Sequence, residues 1–133
     1  MTRFVIDART LLQLLEGSGT VAPTHQLVAP ASIRSQVMDL LLQRVGDGEL
    51  TEREALALHD RLTEMKLRLL NDRVSRRTAW DIARAQGWPT THDAECIALV
   101  KLQADALITT DAGLAAAAVG LVPVAGVERL FET

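Results

Sequence analysis

Aromatic residues are scarce in this chain of 133 residues: they make up 3% of the composition, and tyrosine is absent. The core must therefore be built from aliphatic side chains. This is feasible because the hydrophobic content is 48%, which is ordinary for a globular protein and argues against disorder. At this length we expect one domain over 1–133, with roughly two-thirds of the unfolded surface buried on folding.

Cysteine occurs once, at Cys96, so an internal disulfide and a C-x-x-C metal motif are both excluded. Long apolar runs are also missing. The longest weakly polar stretch, LAAAAVGLVPVAGV, is shorter than the roughly 20 residues that span a bilayer and is interrupted by Gly and Pro. The first residues, MTRFVIDART, lack the apolar segment of a signal peptide. We therefore expect a cytoplasmic protein with no membrane segment.

The chain has no excess of positive charge, because 14 Lys and Arg stand against 17 Asp and Glu, for a net charge of −3. Bulk electrostatics therefore do not indicate nucleic-acid binding, and an anionic partner would need a local basic patch. The densest basic run, KLRLLNDRVSRR, contains Lys66, Arg68, Arg73, Arg76 and Arg77. This run either contacts phosphates or forms a solvated helix face with ion pairs to neighbouring aspartates.

Short apolar runs predict strands near both ends of the chain, and longer periodic runs predict helices between them. Strands are expected at RFVID (3–7), QLVAP (26–30), DALITT (105–110) and LVPV (121–124). Helices are expected at 8–17, 30–45, 50–70, 75–87, 94–103 and 112–120. Thr51 and Glu54 form a capping box at the start of the helix over 50–70. The pattern predicts an α/β fold with a parallel sheet and a helical insertion.

Three aspartates, Asp7, Asp93 and Asp111, each come directly before a predicted helix. Each alone suits a helix N-cap, which accepts hydrogen bonds from free backbone N–H groups. However, Asp7 and Asp111 also end predicted parallel strands, and sites form at that edge of an open sheet. Three carboxylates converging there would raise one another's pKa values unless a cation neutralised them. Oxygen ligands without a Cys or His pattern suit Mg²⁺ or Mn²⁺, which favours phosphodiester or phosphoryl chemistry.

Four stretches resemble, in order, spacing and strand–helix context, the motifs of the PIN domain: FVIDARTLL, APASIRSQVMDLL, TTHDAECIALV and ADALITTDAGLA. They are most similar to the VapC-type toxins of bacterial toxin–antitoxin pairs, and the resemblance covers nearly the whole chain. It implies a PIN-like three-layer α/β/α fold with a central parallel sheet and a helical insertion. It also implies a Mg²⁺- or Mn²⁺-dependent endoribonuclease with Asp7, Asp93 and Asp111 as metal ligands and catalytic residues. Its products would carry a 5′-phosphate and a 3′-hydroxyl.

The resemblance also implies partners. These are a structured RNA substrate, a cognate antitoxin that inhibits the enzyme, and a second copy of the chain in a homodimer. The C-terminal segment of the antitoxin would lie in a groove between the long helices and block the site. The apolar residues Leu62, Met65 and Leu69 are either part of that surface or part of the core.

Several positions depart from the family pattern or extend it. The helix over 30–45 usually offers a glutamate, but Gln36 stands there, and its carbonyl accepts hydrogen bonds without carrying a charge. We expect Gln36 to be a weak ligand or a partner of metal-bound water. Asp39 either contributes through water or is solvated. Thr109 is expected to bond a water or a carboxylate. Arg9 replaces a small polar residue and either pairs with the acids, contacts an RNA phosphate or points to solvent.

Other residues around the motifs carry simpler expectations. Arg9, Arg73, Arg76 and Arg77 are candidate contacts to RNA phosphates. We expect Glu95 to satisfy the N-terminus of its helix. Trp80 is expected in the core, and Trp88, beside a proline in a loop, is expected to be exposed.

Rival classes lack their own signatures in this sequence. A haloacid-dehalogenase-type phosphatase has a second aspartate two residues after the first, where Arg9 stands. A Rossmann domain has a glycine-rich turn after its first strand, and DARTLL contains no glycine. The open alternative is a non-catalytic PIN-like domain that binds RNA or a protein, which Gln36 and Arg9 both favour.

Overall fold

The computed structural model describes residues 1 to 133, and at its centre lies a sheet of five parallel strands. In sheet order β3-β2-β1-β4-β5, the strands are β1 (Thr2–Ile6), β2 (His25–Pro30), β3 (Arg68–Leu70), β4 (Ala106–Ile108) and β5 (Val124–Ala125). From β1 the chain adds β2 and β3 on one side and then β4 and β5 on the other. The order therefore reverses between β1 and β4, where an open sheet has a crevice at its carboxyl edge.

Six α-helices cover the two faces of this sheet. They are α1 (Ala8–Glu16), α2 (Ile33–Gly46), α3 (Glu52–Glu64), α4 (Arg73–Gln86), α5 (His92–Gln103) and α6 (Ala112–Ala118). A short 3₁₀ helix, Val127–Phe131, closes the chain. None of these helices combines the length and the apolar character needed to cross a membrane.

Two aliphatic cores, one on each face of the sheet, hold the layers together. Phe4 and Ile6 of β1 belong to the first core, which α1, α2 and α3 complete. Val5, between them, belongs to the second core, with α4, α5 and α6. Successive side chains of a strand point to opposite faces, so a strand covered on both faces needs an unbroken apolar run such as FVI. The predicted three-layer α/β/α fold with a parallel sheet is confirmed.

Two helix ends form at the residues that the sequence predicts. The Thr51 hydroxyl accepts the Glu54 N–H at 3.1 Å, and the Glu54 carboxylate accepts the Thr51 N–H at 2.9 Å, so the capping box is present. Gly87 ends α4 with a φ of 72°, a left-handed conformation that glycine adopts without a steric penalty. The local chemistry of these two helix ends is therefore sufficient to specify them.

The predicted helix over 50–70 is wrong at its C-terminal end. Helix α3 stops at Glu64, Met65 has an extended backbone, and Arg68–Leu70 form β3 instead. This strand pairs with β2 in a register that brings Pro30 opposite Leu70. The leucines of KLRLL fit a helical period equally well, and pairing with a strand distant in sequence overrides that local preference.

Two further helix starts differ from expectation. Pro30 ends β2 rather than starting α2, because the sheet continues to it and the next residue, Ala31, donates its N–H to the Leu70 carbonyl at 3.2 Å. A strand tolerates a proline at its end, where the missing N–H breaks no ladder bond. Helix α5 begins at His92, before the predicted residue 94, so Asp93 lies inside its first turn.

Candidate functional site

The carboxyl edge of the sheet carries the acidic residues that the sequence singled out. Asp7 directly follows β1, and Asp111 stands three residues after the end of β4, on the two sides of the point where the strand order reverses. Helix α5 packs against β1, β2 and β4 and brings Asp93 to the same region. The fold therefore gathers these three side chains from distant parts of the chain.

Asp7 is the most enclosed of the three, with a relative exposure of 6%. Its side chain does not cap α1, although it occupies the N-cap position. It accepts a hydrogen bond from the Thr10 hydroxyl instead. Burial raises the pKa of Asp7 above its ordinary value of 3.8, and the Thr10 and Thr109 hydroxyls offset part of that rise. The simple N-cap interpretation thus does not account for Asp7.

Thr10 is a site residue that the sequence reasoning missed. It is fully buried, donates to the Asp7 carboxylate, and accepts the backbone N–H of Thr110 at 3.0 Å. The turn after β1 is thereby tied to the turn after β4. The signal was present in the sequence, because the threonine in DART stands three residues after an N-cap aspartate, where it reaches back to it.

Asp111 does cap its helix. Its Oδ1 accepts the N–H groups of Gly113 at 2.9 Å and Leu114 at 3.2 Å, which satisfies two free donors of α6. Its Oδ2 lies 3.7 Å from Nε of Arg9. Of the interpretations open for Arg9, the structure shows pairing with the acids, although its side chain stays 67% exposed.

Asp93 lies in the first turn of α5 and keeps contact with solvent. The pKa of Asp93 is raised, first by lost hydration and then by the negative charges of Asp111 and Asp7. His92 and Arg9 act in the opposite direction. Asp7 and Asp111 are therefore close enough to Asp93 for their charges to act on it, in addition to the larger effect of burial.

The negative charge of this edge suits a divalent cation, but its side chains are not arranged as a complete metal site. No three His, Cys, Asp or Glu side chains are placed so that together they could hold a metal ion. One oxygen of Asp111 is committed to the cap and the other faces Arg9. The charges of Asp7 and Asp111 nevertheless contribute, after burial, to the raised pKa of Asp93, and a bound cation would offset this electrostatic repulsion.

The polar residues of α2 do not reach the acids. Nε2 of Gln36 donates to Oγ of Ser32 at 2.8 Å, one turn back on the same helix, and Gln36 makes no hydrogen bond to Asp7, Asp93 or Asp111. Asp39 is exposed and has neither a hydrogen bond nor an ion pair. The position where the family has glutamate is thus engaged within its own helix.

Thr109 bonds the backbone of Asp111, and Glu95 does not cap its helix as expected. Oγ1 of Thr109 accepts the Asp111 N–H at 3.0 Å, and its hydroxyl also lowers the pKa of Asp7. Glu95 makes no side-chain hydrogen bond to the start of α5; it lines a small cavity with Ser32 and Arg76. Burial raises the pKa of Glu95, and the positive charges of His92 and Arg76 reduce that rise.

The basic run divides between two parts of the molecule. Arg68 lies in β3, whereas Arg73, Arg76 and Arg77 lie on α4. Nη1 of Arg76 donates to Oδ1 of Asn71 at 3.1 Å, and Nε of Arg77 lies 3.5 Å from Oδ1 of Asp81. The ion pair to Asp81 agrees with the solvated-face interpretation, while Arg73 has no ionic partner.

The two tryptophans are placed opposite to expectation. Trp80 on α4 is 58% exposed, and Trp88 packs against the second core. The reason is helix geometry, since Ser75, Ala79 and Ile82 form the buried side of α4 and Trp80 falls on the other side. A proline neighbour did not predict exposure for Trp88, because its N–H bonds the Ala83 carbonyl at the end of α4 and its side chain packs against the second core.

Two open cavities lie beside the helices of the first layer. A groove of about 850 Å³ between α1 and α2 reaches Arg9, Thr110 and Asp111. A cavity of about 1120 Å³ near the amino ends of the strands is lined in part by Met65. Leu62 is fully buried, and Leu69 packs against the first core, so these two residues are core rather than docking surface.

Comparisons with known proteins agree with this architecture. The chain superimposes on the crystal structure of PAE2754 from Pyrobaculum aerophilum with a TM-score of 0.67 and 18% identity, covering 98% of this chain and 94% of that one. It superimposes on the structure of VapBC-1 from nontypeable Haemophilus influenzae with a TM-score of 0.58 and 13% identity, covering 94% and 98%. The chain therefore has the PIN/VapC-like fold that its motifs resemble.

The comparisons of sequence found no relative of this chain. No protein-family model matches the chain, and no curated protein matches it significantly. At 18% and 13% identity the structural similarity establishes the fold and leaves the chemistry to the residues of the site.

Proposed function

We propose that this chain is a Mg²⁺- or Mn²⁺-dependent endoribonuclease of the VapC toxin type, which hydrolyses RNA phosphodiester bonds and is inhibited by a cognate antitoxin. The observation that carries the proposal is that Asp7, Asp93 and Asp111 lie together at the carboxyl edge of the sheet, where the charges of Asp7 and Asp111 act on Asp93. Such a cluster of oxygen ligands suits a hard divalent cation. The fold shared with the VapBC-1 structure supports the same assignment.

Asp7, Asp93 and Asp111 are the residues that would hold the cation. When bound, it supplies Lewis-acid chemistry, which neutralises phosphoryl oxygens and makes a water molecule nucleophilic near neutral pH. Thr10 orients the Asp7 carboxylate, and Thr109 hydrogen-bonds the backbone of Asp111. The buried position of Asp7 excludes bulk water from that carboxylate and strengthens its interaction with a positive charge.

Arg9 has two roles in this proposal. Its guanidinium lies 3.7 Å from Oδ2 of Asp111 and so partly offsets the negative charge of that carboxylate. The side chain is largely exposed, so it is free to exchange Asp111 for an RNA phosphate, with which arginine forms strong charge-assisted hydrogen bonds. With Asp111 among the residues that would hold the cation, Arg9 would be free for this contact.

The groove between α1 and α2 is the proposed place for the antitoxin segment. It opens directly on Arg9 and Asp111, so a peptide lying in it would cover the acidic edge. Its lining includes Arg44, which pairs with Glu16 at one end of the groove. The proposal also includes a homodimer, which sedimentation at high concentration would test; a monomer at all concentrations would remove that part.

A non-catalytic PIN-like domain that binds RNA or a protein is the second candidate. Two observations favour it: Gln36 is engaged with Ser32, and no three carboxylates form a finished metal site. The same experiment separates the two candidates. RNA is incubated with purified wild type, Asp7→Asn and Gln36→Glu, each with Mn²⁺ and with EDTA.

The nuclease proposal expects Mn²⁺-dependent cleavage by the wild type, none by Asp7→Asn, and products with 5′-phosphates. Cleavage by Gln36→Glu alone would identify the natural chain as a weakened binding domain. RNA left intact by the wild type, under conditions where Asp7→Asn behaves identically, would defeat the nuclease proposal.

A further inference from the structure

The outer face of α4 places a tryptophan among arginines. At about 100° per residue, four side chains fall within about 60° of one another around the helix. They are Arg73, Arg77, Trp80 and Arg84, and we call them the α4 face. This face lies opposite the buried side of the helix, so all four side chains point to solvent, with Trp80 58% exposed.

The charges of the α4 face are nearly free. Arg73 and Arg84 form no ion pair, and Arg77 pairs only with Asp81 at 3.5 Å, where both side chains are well exposed. Exposed pairs of that kind contribute little energy. In a chain of net charge −3, the face is a local concentration of positive charge. An anionic ligand is therefore the occupant that its charge favours.

The position of Trp80 narrows the class of ligand. Tryptophan and arginine are enriched at protein interfaces too, but Trp80 is the sole apolar side chain of the α4 face, whereas the centre of a protein interface is mostly apolar. A single-stranded nucleic acid needs this combination instead, because bases stack on aromatic rings while arginines contact the backbone phosphates. A paired duplex shows its bases only at their edges and offers no free face to the indole.

We propose that the α4 face binds an unpaired segment of RNA, with one base stacked on Trp80 and neighbouring phosphates held by Arg73, Arg77 and Arg84. The inference rests on the proposed ribonuclease function for its ligand, and it names the substrate class as RNA with a single-stranded segment. Helix α4 packs against α5, the helix that carries Asp93 at the acidic edge.

The test measures binding without cleavage. Full-length protein in EDTA is titrated with short fluorescent oligouridylate, oligoadenylate and a duplex of the same length, and Kd is read from anisotropy. We expect tighter binding to the single strands than to the duplex, with quenching of wild-type tryptophan fluorescence. Trp80→Ala should weaken single-strand binding about 5- to 150-fold, since stacking on one aromatic ring contributes about 1–3 kcal/mol. Trp80→Phe should restore most of it.

Charge controls separate specific contacts from general attraction. Arg77→Gln and Arg84→Gln should each reduce the slope of log Kd against log salt by about 0.7, the value for one phosphate contact on a single strand. Arg53→Gln removes the same charge from α3, on the other face of the sheet, and should leave the slope unchanged. Thermal unfolding of each variant shows that the exposed substitutions leave the fold intact.

Three results would overturn the inference. The first is Trp80→Ala binding single strands as tightly as the wild type. The second is duplex binding as tight as single-strand binding. The third is a wild-type dimer that dissociates in Trp80→Ala while the RNA affinity stays the same. This result would assign the α4 face to contact with a second copy of the chain. Binding that needs Trp80 without any Mn²⁺-dependent cleavage would sink the nuclease proposal alone. Cleavage with Kd and KM unaffected by Trp80→Ala would sink this inference alone.

Discussion

Replacing Thr10 by valine removes one hydroxyl and keeps the shape of the side chain. That hydroxyl donates to the Asp7 carboxylate and accepts the Thr110 N–H at 3.0 Å, so two hydrogen bonds disappear together. Both lie where the turn after β1 meets the turn after β4. The substitution therefore tests whether this link holds the acidic edge in place.

The expected cost follows from the two bonds. A hydrogen bond to a charged group contributes about 1.5–3 kcal/mol, and the partly buried Thr110 N–H left without an acceptor adds roughly 0.5–1.5 kcal/mol. We expect Thr10→Val to lower the free energy of unfolding by about 2–4 kcal/mol near neutral pH. With an m-value of about 2 kcal/mol/M, the midpoint of urea unfolding would fall by about 1–2 M.

Thr10→Ser is the matched control, because it keeps the hydroxyl and loses only a buried methyl group, which costs about 1 kcal/mol. The gap between the valine and serine variants should narrow in acid. Once Asp7 is protonated, the lost bond is one between neutral groups and contributes only about 1 kcal/mol. Equal midpoints for the two variants near neutral pH, or a gap that does not change with pH, would show that the Thr10 hydroxyl does not stabilise the edge through the Asp7 carboxylate.

Three other substitutions have outcomes fixed by the same contacts. The pKa of Asp7 is raised in the folded chain, so its contribution to stability is complete below 3.8 and is lost as pH rises through the raised value. The side chain in Asp7→Asn is always neutral, so near neutral pH and without metal this variant should unfold at a higher urea concentration than the wild type. Equal unfolding midpoints near neutral pH would contradict this prediction. Asp111→Ala should cost about 0.5–2 kcal/mol through the lost α6 cap, whereas Asp111→Asn keeps the cap and should stay within about 0.5 kcal/mol of the wild type in the same assay. Gln36→Glu adds a carboxylate to α2 and should strengthen Mn²⁺ binding in a calorimetric titration, and unchanged affinity would show that this position of α2 does not contribute to the site.

Elements with complete local signals could be predicted from the sequence. FVI between polar flanks predicts a buried strand, and Thr51, Glu54 and Gly87 mark helix ends through contacts with their immediate neighbours. Asp7 and Asp111 follow predicted parallel strands, so their common edge follows from topology alone. The α/β class and the placement of the two acids at the ends of strands could therefore be predicted from the sequence alone.

The missed features depend on residues far apart in the chain. Strand β3 exists because β2 pairs with it, which the helical spacing of the leucines in KLRLL cannot reveal. Trp80 was misplaced because the side of α4 that is buried is the side that packs on α5, a helix whose position the local spacing does not reveal, and Trp88, beyond the end of α4, packs against the second core. The engagement of Gln36 with Ser32 is a choice of rotamer, which composition and spacing do not specify.

The central claim is that Asp7, Asp93 and Asp111 together bind a divalent cation. The most direct measurement is a calorimetric titration of Mn²⁺ into EDTA-stripped protein, for the wild type and for Asp111→Asn, which keeps the helix cap and loses the charge. We predict one binding event for the wild type that is weakened at least tenfold in Asp111→Asn and weakens further in acid, as carboxylates with raised pKa values become protonated. The same Mn²⁺ affinity in both proteins, or no binding by the wild type, would contradict it.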